Sequence, residues 1–335
     1  MRWIAIAALA VLAGGCSRQE PLREGQQRSG LYMVRQNGRT GFVDANGRIR
    51  IAPQFDEAAP FSDGLAVVGV GGRAGYIDRR GRIVINPQFD AASPFSEGLA
   101  AVRSGGAWGF IDHSGKMVIQ PRFQPAGPGP ILFSEGLAPV SGGTEGPPRG
   151  GYIDKQGRMA INPQFDYAAP FSDGLALVGI SGRYGYIGRD GRFVINPQFD
   201  QARSFFEDRA AVSSGGRWGF VNRAGSMAVQ PQFDQARDFS GGLAMVAVGG
   251  RIGFVDPNGK LTINPQFDAA SDFSDGRAPV RVNSRWGYID KNGNMVIQPR
   301  FDDARPFSLD LAPVEVGAGW GYVDRSGKLI WNPSA

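Results

Sequence analysis

The chain repeats itself every 34 residues, and that period limits its folds more than any other property. Pro-x-Phe recurs at Pro53, Pro87, Pro121, Pro163, Pro197, Pro231, Pro265 and Pro299, with 34 residues between neighbours except for 42 between Pro121 and Pro163. A glycine followed by an aromatic keeps the same spacings at Gly41, Gly75, Gly109, Gly151, Gly185, Gly219, Gly253, Gly287 and Gly321, which makes nine units. A fixed period of this size means a solenoid, a propeller or an array of stacked supersecondary units. One such unit is too short to hold a core of its own, so its stability must come from its neighbours.

Within a unit, "LAVV" (65–68) and "GYID" (75–78) are short β-favouring runs joined by a glycine-rich hairpin signal, and "GYIDRRGRIVI" (75–85) is a second hairpin. Asp78 is placed to open a type I turn and Gly81 to supply the positive φ of the bulge after it. Each unit therefore reads as a three-stranded antiparallel meander. An odd number of strands leaves the chain at the wrong end for the next unit. The phrase "INPQFDAASPFSEGLAAV" (85–102), which returns in altered form at 161–178 and 195–212, reads as the crossover. Pro87 is expected to end the third strand, because it cannot donate to the ladder. Phe89 and Phe95 are expected to bury beneath the sheet, each contributing roughly 1.5–3 kcal/mol.

The segments "AWGFIDHSGKMVIQPRF" (107–123) and "RWGYIDKNGNMVIQPRFDDARPFS" (285–308) resemble the bacterial WG repeat, and the resemblance covers about residues 31–333. The Trp is kept at Trp108, Trp218, Trp286 and Trp320, whereas Thr40, Ala74, Gly150, Tyr184 and Ile252 replace it elsewhere. The resemblance implies architecture more than activity. The expected fold is all-β: nine tandem three-stranded meander repeats in an open, twisted array, with a closed β-propeller-like ring as the alternative. The open form is favoured because the units stay in frame from the first strand (31–34) to the last (328–331). The eight extra residues fall in Gly/Pro-rich loops at 124–132 and 141–150.

The N-terminus reads as an export signal. Arg2 precedes an apolar run over 3–13 that is too short to span a bilayer and matches the core of a signal peptide, residues 1–15. "LAGGC" resembles a lipobox, so Cys16 would be acylated, and 16–29 would form a polar tether to the repeat domain, 30–335. Ser17 after the Cys points to the outer membrane, facing the periplasm or the cell surface. The chain has one Cys and one His, which excludes an internal disulfide framework and a Cys/His metal site. A net charge of +5 does not by itself imply nucleic acid.

Three residue sets stand out. Arg39, Arg73, Arg149, Arg183, Arg217, Arg251 and Arg285 occupy one hairpin position in seven units and could bind phosphates or carboxylates, unless Asp44, Asp78, Asp112, Asp154, Asp256, Asp290 and Asp324 neutralise them. Trp108, Trp218, Trp286 and Trp320, with Tyr184, could stack on sugars, although packing over the bare backbone of the adjacent Gly is the simpler use. Asp56, Asp90, Asp166, Asp200, Asp234, Asp268 and Asp302 supply carboxylates, but one per turn does not make a calcium site. His113 is a lone His in a turn, so no catalytic constellation, cofactor or metal is expected. The expected function is non-enzymatic: a lipid-anchored envelope protein whose array binds a protein or an anionic glycan. The alternative is a carbohydrate-active enzyme, which would need carboxylates that converge.

Overall fold

The computed structural model describes residues 30–142, 149–317 and 319–332. Cys16, the signal segment, the tether and most of the second loop insertion lie outside the described residues. Among the described residues every helix or strand element is a strand. The strands form small antiparallel sheets, and none closes into a barrel.

Two compact units divide the chain, one of residues 31–181 with 187–192, the other of 182–186 with 193–335. The first opens with a three-stranded sheet, Tyr32–Gln36, Arg39–Val43 and Ile49–Phe55. A four-stranded sheet follows, Glu57–Ala58, Leu65–Val70, Arg73–Asp78 and Ile83–Phe89. The third and fourth repeats share a seven-stranded sheet, because Met117–Pro125 runs on past its own hairpin to pair with Ala138–Gly142. The first loop insertion leaves from the end of that strand. In the second unit, four-stranded sheets open at Gln201–Ala202, Gln235–Ser240, Ala269–Ala270 and Asp303–Ala304.

The crossover is more than an extended return path. It adds a lead strand to the next repeat: Glu57 pairs with Gly69 and Ala58 with Val68. A two-residue turn then enters the first long strand. Asp63 and Gly64 both have positive φ (48° and 86°), the signature of a type I′ hairpin, and the backbone of Ser62 pairs with that of Leu65. The meander of three thus becomes a sheet of four, its first strand handed over by the preceding repeat.

The Asp-x-x-Gly turn forms as expected. Asp78 Oδ1 accepts from the N–H groups of Arg80 (2.9 Å) and Arg82 (3.0 Å), and Gly81 has φ 80°. Pro87 departs from expectation. It lies inside Ile83–Phe89 rather than ending it. Tyr76 pairs with Ile85 and Ala74 with Phe89, so the proline sits in a bulge of an edge strand, where no ladder N–H is needed. Gly75 faces that bulge. A Cβ there would meet Ile85 O and Pro87 N at 2.6 Å. The glycine of the Gly-aromatic pair therefore makes room for crossing backbone, and not for an aromatic ring.

Each core belongs to two repeats. Phe254, Ile263, Phe267 and Phe273 from one repeat and its crossover pack with Ala278, Val280 and Ile289 of the next. Both crossover phenylalanines bury: Phe89 and Phe95 are 6% and 1% exposed. The second stands edge-on to the aromatic after the glycine, with Tyr76 and Phe95 ring centres 4.9 Å apart. Hydroxyls tie consecutive crossovers. Ser62 Oγ donates to the Phe95 carbonyl and Ser240 Oγ to that of Phe273, each at 2.6 Å.

Candidate functional site

The Arg column and the Phe-Asp carboxylates turn out to be each other's partners. Arg39 pairs with Asp56, Arg73 with Asp90, Arg149 with Asp166, Arg183 with Asp200, Arg217 with Asp234, Arg251 with Asp268 and Arg285 with Asp302. The separation is always 17 residues, from the hairpin tip to the residue after the third strand. In six of these pairs the other carboxylate oxygen reaches forward to a backbone N–H in the next hairpin, as Asp56 does to Gly71 and Asp200 to Gly215. Each of these six carboxylates thus joins two successive hairpins. The third repeat carries Ala107 in place of Arg, and Gln124 in place of Asp; there Gln124 Nε2 donates to the Gly106 carbonyl at 3.0 Å. The arginines stay about half exposed, but each positive charge is matched. Asp44 and its equivalents do not supply that match. They accept the amides of their own turns.

The turn carboxyls of Asp78, Asp112, Asp154, Asp290 and Asp324 are held below the ordinary carboxylate range. At Asp112 hydrogen bonds, from the Ser114 hydroxyl first, keep the carboxyl below its ordinary range despite slight desolvation. No group of three or more metal-ligating side chains converges among the described residues. His113 is a clasp. Its ring stacks on Phe95 with centres 4.3 Å apart, and its Nε2 lies 2.9 Å from the Asp63 carbonyl, which requires the tautomer that donates there.

The tryptophans divide. Trp108 is 9% exposed, within a core cluster. Trp218 and Trp286 are half-buried beneath the guanidiniums of Arg203 and Arg281, each 5.9 Å from the ring centre. Trp320 is exposed and carries Arg305 at 4.5 Å. These rings have cationic partners on their faces, which partly fills the place a sugar would take.

Two features were not singled out from the sequence. The first lies on the third strands, the sheet edges of most repeats. They present large apolar side chains to water: Ile49, Ile83, Met159, Phe193, Leu261 and Leu329, at one equivalent position, are 36–50% exposed. A basic residue precedes each: Arg48, Arg82, Arg158, Arg192, Lys260 and Lys328. The column was legible once the repeats were aligned on the Asp-x-x-Gly turn. Read one strand at a time, it looks like ordinary β alternation.

The second is a charged cluster in the second compact unit. Arg203, Arg237, Asp238 and Asp272 come from three consecutive crossovers and lie within electrostatic reach of one another. No ion pair within 4 Å joins them among the described residues, and Asp238 Oδ1, Asp272 Oδ1 and Arg203 Nε are buried without a hydrogen-bond partner. Burial pushes the Asp238 carboxyl up to about 6; the Arg203 charge opposes this and Asp272 adds to it. The folded protein therefore holds this proton more tightly than the unfolded chain does. Stability from this group is present below pH ~4 and is lost as pH rises through about 6, a change of up to ~3 kcal/mol. Asp238→Asn should remove that slope. Urea denaturation of both proteins at pH 4 and 7 checks it, and parallel changes would refute the assignment.

The family described as "WG containing repeat" matches eight successive segments, 41–73, 75–106, 108–141, 151–184, 184–218, 218–251, 252–286 and 286–318. No curated protein matches the chain. Among solved structures it is similar to a eukaryotic initiation factor, with a TM-score of 0.60 at 10% identity over 90% of this chain and 95% of that one. Kluyveromyces lactis Hsv2 aligns at a TM-score of 0.44 and 12% identity over 71% of this chain and 94% of that one. The first likeness is one of fold.

Proposed function

The chain belongs to the family of WG-containing repeat proteins, and on that premise we propose that it is a non-enzymatic, lipid-anchored envelope protein whose repeats form a binding surface for another protein. The observation that carries this reading is the edge-strand column. Within each compact unit a large apolar side chain beside a cation recurs on sheet edges, Ile49, Ile83 and Met159 in the first and Phe193, Leu261 and Leu329 in the second, a surface that core packing does not require. The pairing of the Arg column with Asp favours a protein over an anionic glycan as partner, because little uncompensated charge is left to draw a polyanion. Anchorage would come from acylation of Cys16 after export, with the outer membrane as destination and no role for nucleic acid. "LAGGC" and the apolar run before it support that part.

The test uses the full chain expressed in its own envelope. Cys16→Ser should move the protein from the membrane fraction to the soluble one, and the wild type should carry lipid mass on Cys16. Ile49→Ser, Ile83→Ser and Met159→Ser combined, all in the first compact unit, should abolish partner capture while the protein still folds, as judged by an intact cooperative thermal transition. Changing Arg183, Arg217, Arg251 and Arg285 to Ser should leave capture intact. Capture that survives the apolar changes but falls with the arginine changes and with salt would overturn the protein-partner reading in favour of a polyanion. Unchanged fractionation of Cys16→Ser would overturn the anchor.

A further inference from the structure

Four Asn-Gly pairs stand in this chain, Asn37-Gly38, Asn46-Gly47, Asn258-Gly259 and Asn292-Gly293, and three of them are held alike. Those three lie in the Asp-x-x-Gly turns. The Asn N–H donates to Oδ1 of the turn's own Asp, Asp44, Asp256 or Asp290, each at 2.9 Å. The Gly N–H donates to the carbonyl of the same Asp, at 3.0, 2.9 and 3.0 Å. Two of these turns are also seated on the repeat before them. A Cβ on Gly259 would meet Val229 at 2.8 Å, and one on Gly293 would meet Ile263 at 3.2 Å. Both backbone amides of each of the three pairs are thus engaged.

Asn37-Gly38 is the exception. It forms the tip of the first hairpin, where Gln36 pairs with Arg39 and both tip residues have positive φ (48° and 74°). Both are exposed, and nothing lies within 4 Å of where a Gly38 Cβ would be. Among the described residues neither N–H has a hydrogen-bond partner. The tip is held through its Gly38 carbonyl, which accepts from the Arg35 guanidinium at 3.3 Å. Six later tips are tied down differently. The N–H of their first residue donates to the Phe-Asp carboxylate of the preceding repeat, as Gly71 does to Asp56 at 2.7 Å and Asn283 to Asp268 at 3.0 Å. No crossover precedes the first hairpin among the described residues, so this brace is missing there.

An Asn-Gly pair reacts with itself when the backbone can bring the Gly nitrogen onto the Asn side chain, since glycine has no Cβ in the way. The nitrogen must shed its proton and the turn must open. Each hydrogen bond on that N–H, and each tie on the turn, therefore slows the step. We propose that Asn37 is a deamidation site of the folded protein and that the three turn asparagines are protected. The Gly38 nitrogen bonds to Asn37 Cγ and closes an imide. The bond from Cγ to Nδ2 breaks, and that nitrogen leaves as ammonia with the proton shed by Gly38. Water then opens the ring. Cleavage of the new bond leaves aspartate. Cleavage of the original peptide bond leaves isoaspartate, with the chain running through the side-chain carbon. Either product places a carboxylate between Arg35 and Arg39 in the sequence. Isoaspartate also adds a backbone atom to a two-residue turn, which that turn type does not accommodate with Gln36 and Arg39 still in register. The proposal does not depend on the edge-strand surface.

The experiment incubates the full chain, solubilised in detergent, at pH 7 and pH 9 in water enriched in heavy oxygen. Peptide mass spectrometry follows each of the four asparagines, and an isoaspartate assay identifies the second product. Asn37 should convert about tenfold faster than Asn46, Asn258 or Asn292, or more. It should convert faster at pH 9 than at pH 7, with heavy oxygen taken up in the product. In urea the four should convert at similar rates, because the hydrogen bonds that distinguish them are gone. Asp256→Ala removes the Oδ1 acceptor of Asn258 and should raise conversion there while leaving Asn37 as it was. Asn37→Gly gives the tip the Gly-Gly form of Gly71-Gly72. It should end the age-dependent loss of hydrogen-exchange protection that the first hairpin of the wild type should show. Four results overturn the proposal: Asn37 converting no faster than the turn asparagines in the folded protein, a ranking that persists in urea, conversion without uptake of heavy oxygen, or an Asn258 rate that Asp256→Ala does not move. Partner capture by freshly prepared Asn37→Gly should match the wild type, so failure here leaves the edge-surface reading standing.

Discussion

Phe165→Ala is expected to destabilise the protein by about 3–5 kcal/mol, the largest effect of any single side-chain truncation argued from this fold. Phe165 is fully buried. It sits in a cluster with Tyr152 and Ile161 from its own repeat, and with Val178 and Ile187 from the next. The adjacent Phe171 stands edge-on to Tyr152 with ring centres 5.1 Å apart, so the cavity left by Phe165 cannot close without moving that pair. Phe165→Leu keeps most of the volume and should cost under ~1.5 kcal/mol. Hydrogen exchange should show the loss concentrated in the two repeats that share the cluster, since coupling in such arrays runs between neighbours. A denaturation midpoint for Phe165→Ala close to that of Phe165→Leu would show that the crossover is not a core element.

Gly75→Ala is expected to cost about 3 kcal/mol or more, at the upper end of what overpacking does. The added methyl would lie 2.6 Å from Ile85 O and from Pro87 N, and 2.9 Å from Asn86 C. All three are backbone atoms, so no rotamer change relieves the clash, and the bulge of the third strand must open. Gly72→Ala gives the contrast. Gly72 has φ 82° with nothing within 4 Å, so only left-handed strain of ~1–2 kcal/mol applies. Equal losses at the two positions, measured by urea denaturation, would show that backbone crossing is not what the Gly-aromatic glycine serves.

Much of this fold was legible because the chain writes the same statement nine times. The glycine spacing gives the hairpins, and Asp78 with Gly81 gives the turn and its bulge. The two crossover phenylalanines give the core between repeats. What was not legible depends on neighbours distant in sequence. Pro87 alone reads as a strand end; only opposite Gly75 does it become a bulge within an edge strand. Arg73 alone reads as a free cation. Its partner Asp90 lies 17 residues on, past a hairpin, and was counted with a different set. The loss of both members together, at Ala107 and Gln124, was the available signal for that pairing. The charged cluster was missed for the opposite reason. Arg203, Arg237, Asp238 and Asp272 break the pattern rather than repeat it, and a reading built on periodicity passes over exceptions.

The strand that each repeat hands forward has a bearing on how such a chain can have arisen. A junction is written inside one period: the crossover, its two phenylalanines and, as at Ser62 and Asp63, the serine and carboxylate that reach the next repeat. In-frame duplication of a 34-residue segment of the gene therefore creates no unfamiliar contact at either border, because each copy brings the hook and the eye together. Copy number can change before any side chain has to adapt. Substitution afterwards works on copies already secured by their neighbours, which leaves single positions free to diverge, as Arg237 and Asp238 have from their Ala-Pro and Ser-Pro counterparts.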